Sequence, residues 1–545
     1  MKKALTILLT VLLLVTLLAG CGGSSSSGGS SSGGDSAASE VPTTLTVGLQ
    51  GDPVSLDPAF AYDWVANPIV NQVNETLLSF DENNELCCLL CESWEAVDDT
   101  TYVYNVRDDV TWSNGEPMTM EDVMFSLERT ADEDFGSYLQ WMFSSVESIE
   151  QTGDWQFTVK LKAPNANWKY MLGTTAGSII NKKQFEELGE KFGTAQGAPL
   201  GTGAYKHVNW SMGQEVVLEK NENYWDAANH PVAMEKIVYK LIAEDTTRVT
   251  GCLNGDIDFT VYTPADMVDK INETDFLTVD EVESFGVCYV CFNCQKAPFD
   301  DPRVRQAVCY AIDLDSIQEN IVKSAGTEGK VMPNSMSLCV VGADKFEDFI
   351  NTANNYEYDV EKAKALLAEA GYADGFPVEL VLNEVSIRYD IALAIQNYLA
   401  EVGIDVTINQ MTDDEHSNRQ MGYVLDENGM RMYDMLIGGW EADYPDINGN
   451  FEPQYANYNI DQGSNAAAYD NAEVTDLSNQ CNASLDDNER VDLLIKAMGI
   501  ANDDMPYYNL FYPVRQMTRN THFGGFVINE SWVWNLYFKD CVYSE

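Results

Sequence analysis

The sequence predicts an α/β fold, on three observations. After Asp301, stretches of helical and strand period alternate: DPRVRQAVCYAIDLDSIQENIV, DVEKAKALLAEAGY, FPVELVLN, YDIALAIQNYLAEVG, IDVTIN and YDMLIGG. Strand–helix–strand repetition of this kind builds a largely parallel sheet. Helix punctuation agrees, with Asp301 and Asp359 at N-caps, Pro302 at a first helical position, and Gly371 and Gly403 at helix ends. The first half is instead rich in strands, read at TLTVGLQG, TYVYNVRDDVTW, DWQFTVKLK and QEVVLEK.

In chain order, Lys2 and Lys3 followed by the apolar run Ala4 to Leu18 lay out a secretory signal over residues 1–20. The run is too short and wrongly flanked for a membrane span, and no later apolar stretch approaches the ~20 residues that one needs. Leu18-Ala19-Gly20-Cys21 resembles the lipobox of bacterial lipoproteins, which makes Cys21 the expected lipidation site and new N-terminus. Residues 21–40 are then a lipidated Cys and a tether of mostly Gly and Ser, a composition that cannot bury a core. GSSSG (Gly29 to Gly33) formally matches a hydrolase nucleophile pattern, but that pattern needs a strand-to-helix elbow that a tether lacks. Further on, the turn Asn114-Gly115 closes a strand segment, and Thr119 with Asp122 forms a capping-box pattern opening the helix MTMEDVMFSLER.

Composition limits the partners. Residues 41–545 are long enough for two or three domains. The 86 acids against 32 Lys and Arg give a net charge of −54. Such a surface repels nucleic acid and anionic lipid, and its plainest meaning is a well-solvated secreted protein. Setting Cys21 aside leaves an odd number of the 12 Cys, so at least one has no intramolecular partner. FGVCYVCFNC reads as a buried strand in which Cys is a small apolar residue. Period two puts Cys288 and Cys294 on one face and Cys291 on the other, which argues against one metal site collecting all three.

Enzyme chemistry finds little support. The four His residues are scattered, with no zinc pattern. GTEGK (Gly326 to Lys330) lacks the upstream Gly of a P-loop, and GTGAYK has Lys206 where a dinucleotide fingerprint needs its third Gly. A calcium loop counted from Asp446 places Phe451 at the Gly position and Asn457 at the Glu position. The expectation is therefore no catalytic residue, no metal and no cofactor.

Five stretches in order resemble family 5 of the extracellular solute-binding proteins, the peptide receptors of bacterial ABC importers. They are SLDP (Ser55 to Pro58), the Trp112, Gly115, Pro117, Asp122 and Arg129 pattern, PLGTGAYK (Pro199 to Lys206), APFDDPRVRQAVCYAID (Ala297 to Asp313) and GWEADYPD. The resemblance implies a two-lobed periplasmic-binding-protein-like fold of the type II, three-part form, closing by a hinge over its ligand. It implies a first lobe over 41–290 with an inserted subdomain at about 76–198, a second lobe over 291–504 and a return to the first lobe over 505–545. The partners it implies are a short peptide or similar solute, a membrane permease and the membrane itself through the lipid, with the chain a monomer on the outer face of the cytoplasmic membrane.

The same resemblance assigns the site. In GGWEADYPD (Gly438 to Asp446), Asp443 matches the Asp that takes a peptide's α-ammonium, three residues after Trp440. A buried ammonium needs such a carboxylate to replace its water. Trp440, Glu441 and Ala442 can offer backbone groups to the peptide main chain, as an added strand does. Trp440 and Trp64 are expected to line side-chain space. One departure stands out: Ile437 occupies the position of an Arg that serves the ligand's carboxyl end in enteric oligopeptide receptors. Arg388 is the nearest basic candidate for that role. Relatives in the family also take nickel chelates, opines and sugars, so a non-peptide solute is the first alternative and a surface hydrolase on a related fold the second.

Overall fold

The computed structural model describes residues 41–544. The signal over 1–20, the lipid site Cys21 and the tether up to residue 40 lie outside the described residues. The main sheet is mixed. Its order is Ile404–Gln410, Phe376–Leu382, Met435–Glu441, Gly286–Phe292, Tyr507–Asn520, Phe259–Thr260, Thr44–Leu49, Lys236–Leu241, Glu215–Lys220 and Tyr205–Ser211. The parallel arrangement expected after Asp301 holds where Phe376–Leu382 lies between Ile404–Gln410 and Met435–Glu441. The helix Ser386–Glu401 makes the crossover that a parallel pair requires. Beyond Met435–Glu441 the pairing turns antiparallel, to Gly286–Phe292 and then Tyr507–Asn520.

Tyr507–Asn520 is the longest of these strands, 14 residues. Its first half pairs with Gly286–Phe292 and Gly326–Glu328, and its second half with Leu277–Glu283 and Phe259–Thr260. One continuous strand therefore carries backbone bonds from the Met435–Glu441 region to the Thr44–Leu49 region. A separate antiparallel sheet is built by Cys91–Asp98, Thr101–Val106, Gln156–Leu161 and Val146–Gly153, over a core holding Trp112, Trp168 and Tyr104.

Several sequence signals have a visible physical basis. Thr119 and Asp122 form the reciprocal capping box on Met120–Ala131. Asp301 caps Pro302–Ala311, but that helix stops at Ala311; Asp313 recaps the chain by accepting from the Ser316 N–H, and a new short helix begins at Leu314. Asp57 of SLDP accepts two bonds of 2.8 Å from Arg129, both buried, so two separate motif residues form one ion pair. In GTGAYK a Cβ on Gly201 would lie 1.6 Å from the Val73 carbonyl, and only a glycine fits there.

The cysteines pack as apolar residues. All eleven described are free thiols, and no group of His, Cys or acidic residues among the described residues is arranged to hold a metal. Cys288 points into one core cluster and Cys291 into the other, as alternation requires. Cys294 departs from the expected face and packs with the Cys291 cluster, because the strand ends at Phe292 and its alternation ends with it.

Candidate functional site

GGWEADYPD begins inside the strand Met435–Glu441 and runs off its carboxyl end, beside the end of the parallel strand Phe376–Leu382. Ligands bind at such ends in α/β sheets because loops there diverge and leave a crevice. The two glycines permit close packing. A Cβ on Gly438 would sit 2.7 Å from the Gln420 amide oxygen, and one on Gly439 would sit 2.9 Å from the Val287 carbonyl and 3.1 Å from Arg388 Nη2.

The three acids of this stretch have three different settings. Asp446 is buried and bonded to Arg490 Nη2 at 2.7 and 2.8 Å, so its charge is neutralised inside the protein. Glu441 pairs with Arg515 of the long strand, whose guanidinium also lies over the Trp64 ring, 4.1 Å from its centroid. Asp443 has no cation among the described residues. Its Oδ1 accepts from the Tyr62 hydroxyl, and its backbone carbonyl accepts from Trp534 Nε1 at 2.5 Å. Tyr62 and Trp534 stack on one another at 6.3 Å. Burial pushes the Asp443 carboxyl up to about 6, the Tyr62 bond opposes that rise, and the Glu441 charge adds to it. Burial and the adjacent carboxylate push the Tyr62 phenol upward, so it remains a donor.

The other expected site residues fall nearby, with some changes of role. Trp440 is half-buried, packs on the second core cluster, and its indole N–H is buried without an acceptor among the described residues. The Ala442 N–H is already committed to the Phe285 carbonyl at 3.4 Å. Antiparallel alternation then turns the N–H and C=O of Glu441 to the opposite edge of the strand. Trp64 is 38% exposed and sits beside Trp532. Arg388 lies in the first turn of Ser386–Glu401 and not before that helix; its Nη1 donates to Asn383 Oδ1 at 3.1 Å, and it has no carboxylate partner among the described residues. Ile437 is fully buried in the core, facing away from the side that Trp440 takes. His416 donates from Nε2 to the Ile437 carbonyl at 2.9 Å, and burial pushes its imidazole down to about 4.

Sequence reasoning missed Tyr62, Trp534 and Arg515. Tyr62 stands two residues before Trp64 in AFAYDW, so a usable signal was present there. Trp534 and Arg515 arrive from the C-terminal return of the chain, which no local pattern connects to residue 443. A cavity of about 620 Å³, lined by Asp313, Glu328, Lys330, Tyr358, Tyr508 and Asn509 among others, contains none of the GGWEADYPD residues. That cavity and the carboxylate without a cation therefore lie apart.

The family model described as bacterial extracellular solute-binding proteins, family 5 Middle, matches residues 86–462. The chain belongs to family 5 of the extracellular solute-binding proteins. It is accordingly a solute-binding receptor and not an enzyme. It is 26% identical over 530 residues to the oligopeptide-binding protein OppA of Bacillus subtilis, covering 91% of this chain and 93% of that one. It is 26% identical over 430 residues to the glutathione-binding protein GsiB of Pectobacterium atrosepticum, covering 78% and 80%. Among solved structures it is similar to the periplasmic binding protein DppA of Helicobacter pylori in complex with the peptide STSA, with a TM-score of 0.75, 24% identity, and 93% and 99% of the two chains covered. It is equally similar to NikZ of Campylobacter jejuni in complex with Ni(L-His), with a TM-score of 0.75, 20% identity, and 92% and 100% covered. These structural likenesses establish the two-lobed α/β fold.

Proposed function

We propose that this receptor captures short peptides by their free α-ammonium and delivers them to an ABC importer, tethered to the outer face of the cytoplasmic membrane through a lipid on Cys21. One observation carries the reading: of the three acids in the loop, Asp443 alone has no cation among the described residues. A half-buried carboxylate without a counter-charge is costly, and an ammonium from the ligand removes that cost. The unpaired Trp440 indole N–H supports the reading, because a ligand carbonyl would supply its missing acceptor.

Arg388 is the proposed partner for the ligand's carboxylate, in place of the Arg that Ile437 replaces. Its Nη2 would lie only 3.1 Å from a Cβ at Gly439, so it borders the same strand end. A guanidinium without a carboxylate partner, in a chain carrying 86 acids, suits a ligand carboxylate. In this reading the two lobes close over the ligand, and the permease recognises the closed form. The names of relatives that bind oligopeptides and glutathione favour a peptide over other solutes.

Calorimetry on Asp443→Ala tests the reading. The substitution is expected to cost about 2–5 kcal/mol of peptide affinity, as removing one partner of a buried charge pair does. N-acetylation of the peptide is expected to weaken binding comparably. Equal binding of free and acetylated peptide overturns the ammonium reading.

A further inference from the structure

Asp443 is gripped from two sides by a part of the chain that the sequence does not connect to it. The Tyr62 hydroxyl donates to one carboxylate oxygen, while Trp534 Nε1 donates to the carbonyl of the same residue. The Tyr62 and Trp534 rings lie nearly parallel, 21° apart with centroids at 6.3 Å, so the two donors stand side by side. Trp534 is buried, and its short helix Trp532–Asn535 packs against Asn67–Val73, just after Tyr62. The Asp443 backbone is therefore held by a packed element, and its carboxylate by the hydroxyl of the ring beside it.

We propose that Tyr62 is a positioning residue for ligand capture: its hydroxyl orients the Asp443 carboxylate and holds it in its charged form, so that the site selects ligands with a free primary ammonium. This rests on the ammonium reading of Asp443. The second carboxylate oxygen has no donor among the described residues, which leaves it for the ligand in this proposal. An ionised carboxylate accepts, and a phenol whose own ionisation is suppressed can only donate to it, so the bond favours the charged form. The charged and titratable groups around Asp443 are few. Glu441, on its own strand, disfavours the charged form but is paired with Arg515 from the long strand. Tyr444, the next residue, has its phenol pushed up by burial and stays neutral. Tyr62 supplies the one side-chain hydrogen bond among those influences, and it acts to lower the carboxyl's pKa.

The experiment compares wild type with Tyr62→Phe, which keeps the ring against Trp534 and removes only the hydroxyl. In the first arm, ¹³C-carboxylate NMR of aspartate-labelled, ligand-free protein follows Asp443, with Asp443→Asn assigning its signal. The midpoint is expected to rise in Tyr62→Phe; an unmoved midpoint overturns the proposal. In the second arm, short glycyl-oligoalanine peptides and their N-acetylated forms are titrated between pH 5 and pH 9. Tyr62→Phe is expected to weaken the free peptides about tenfold at neutral pH, the worth of roughly one charged hydrogen bond. The variant's loss relative to wild type is expected to shrink as pH rises and the carboxylate ionises, the two proteins sharing the fall that comes as the peptide's own ammonium titrates near pH 8, and the acetylated forms are expected to be indifferent to the substitution. A loss that does not recover at high pH, or that acetylated peptides share, reduces Tyr62 to a packing role and overturns the proposal. Free and acetylated peptides binding alike to wild type would instead overturn the ammonium reading, whatever the first arm shows.

Discussion

Arg490 holds Asp446 with one terminal nitrogen, 2.8 and 2.7 Å from the two carboxylate oxygens, and the two side chains are only 3% and 0% exposed. The pair ties the helix Asp487–Asp504 to the end of the GGWEADYPD stretch. Asn167, from the early part of the chain, lies against it, with Oδ1 3.4 Å from Arg490 Nη2. Ala166 also donates to the Asn482 carbonyl at 2.7 Å, and Tyr170 stacks on Tyr444 at 5.7 Å. Asp446 therefore anchors the loop that carries Asp443.

Removing one partner of such a pair leaves the other buried and uncompensated. Asp446→Ala or Arg490→Ala is expected to cost about 3–5 kcal/mol in urea unfolding. Replacing both by apolar residues of similar volume is expected to cost clearly less, since no buried charge remains. A double variant as unstable as either single one would show that the pair is held for its packing alone.

If Asp443 takes the ligand's ammonium as proposed, its carboxyl, pushed up to about 6, makes ligand capture pH-dependent. An ammonium ligand binds the ionised form, so affinity is lost as the carboxyl protonates. Between pH 7.5 and pH 5 the affinity of a free-amine peptide is expected to fall about tenfold, following the ionised fraction. In the ligand-free protein the sign for stability is opposite. A carboxyl that titrates near 6 when folded and near 3.8 when unfolded holds its proton more tightly in the folded chain. Stability is thus lost as pH rises from about 4 through 6. Asp443→Asn is expected to be the more stable form at pH 8, by at most about 3 kcal/mol, with the difference vanishing near pH 4.

How much of this the sequence announced follows from the range of the interactions. Caps at Thr119, Asp301 and Asp359 were legible because a cap is decided within a few residues. The strand holding GGW and its place at a sheet end were legible from period and order. The partners of its three acids were not. Tyr62 lies 381 positions from Asp443, and Arg515 lies 74 from Glu441. The second pairing depends on the long strand Tyr507–Asn520 returning across the sheet and the first on an N-terminal segment lying beside it in space, and no local pattern encodes either. Arg388 was found, but its helix begins at Ser386, three residues earlier than the apolar period suggests, because the first turn is set by the loop and not by apolar burial. The antiparallel half of the sheet was missed for a similar reason: helix–strand alternation predicts the crossovers but not which strand is laid beside their outer edge.

Gly439 tests how tightly the strand end is built. A Cβ there would meet the Val287 carbonyl at 2.9 Å, a backbone atom that cannot swing away, and Arg388 at 3.1 Å. Gly439→Ala is expected to shift the strand end, costing about 1–3 kcal/mol of stability as overpacking does. It is also expected to weaken ligand binding through Arg388. Gly438→Ala meets only the movable side chains of Gln420 and Leu436 and is expected to be milder. Equal effects at the two positions, by thermal unfolding and calorimetry, would count against a rigid strand end.

His416 sets an acid limit on the same strand from behind. It is 3% exposed, its Nε2–H is spent on the Ile437 carbonyl, and burial pushes its imidazole down to about 4, with nearby Arg388 acting in the same direction. In the unfolded chain an ordinary histidine titrates near 6.5. The unfolded state therefore binds the extra proton between pH 6.5 and 4, and the stability that His416 contributes, whole above 6.5, is lost progressively as pH falls through that window. The expected loss is about 2–3 kcal/mol by pH 4. His207, half-buried and pushed down to about 4, adds a loss of the same sign, whereas Asp443 gains over the same range. His416→Gln keeps a donor for the Ile437 carbonyl but removes the titration. It is expected to flatten the acid limb of the stability curve by His416's share and to leave stability at pH 8 nearly unchanged. An acid limb that does not move in this variant would assign the whole loss to His207, and would mean that the strand under Asp443 is held equally well when the imidazole is charged.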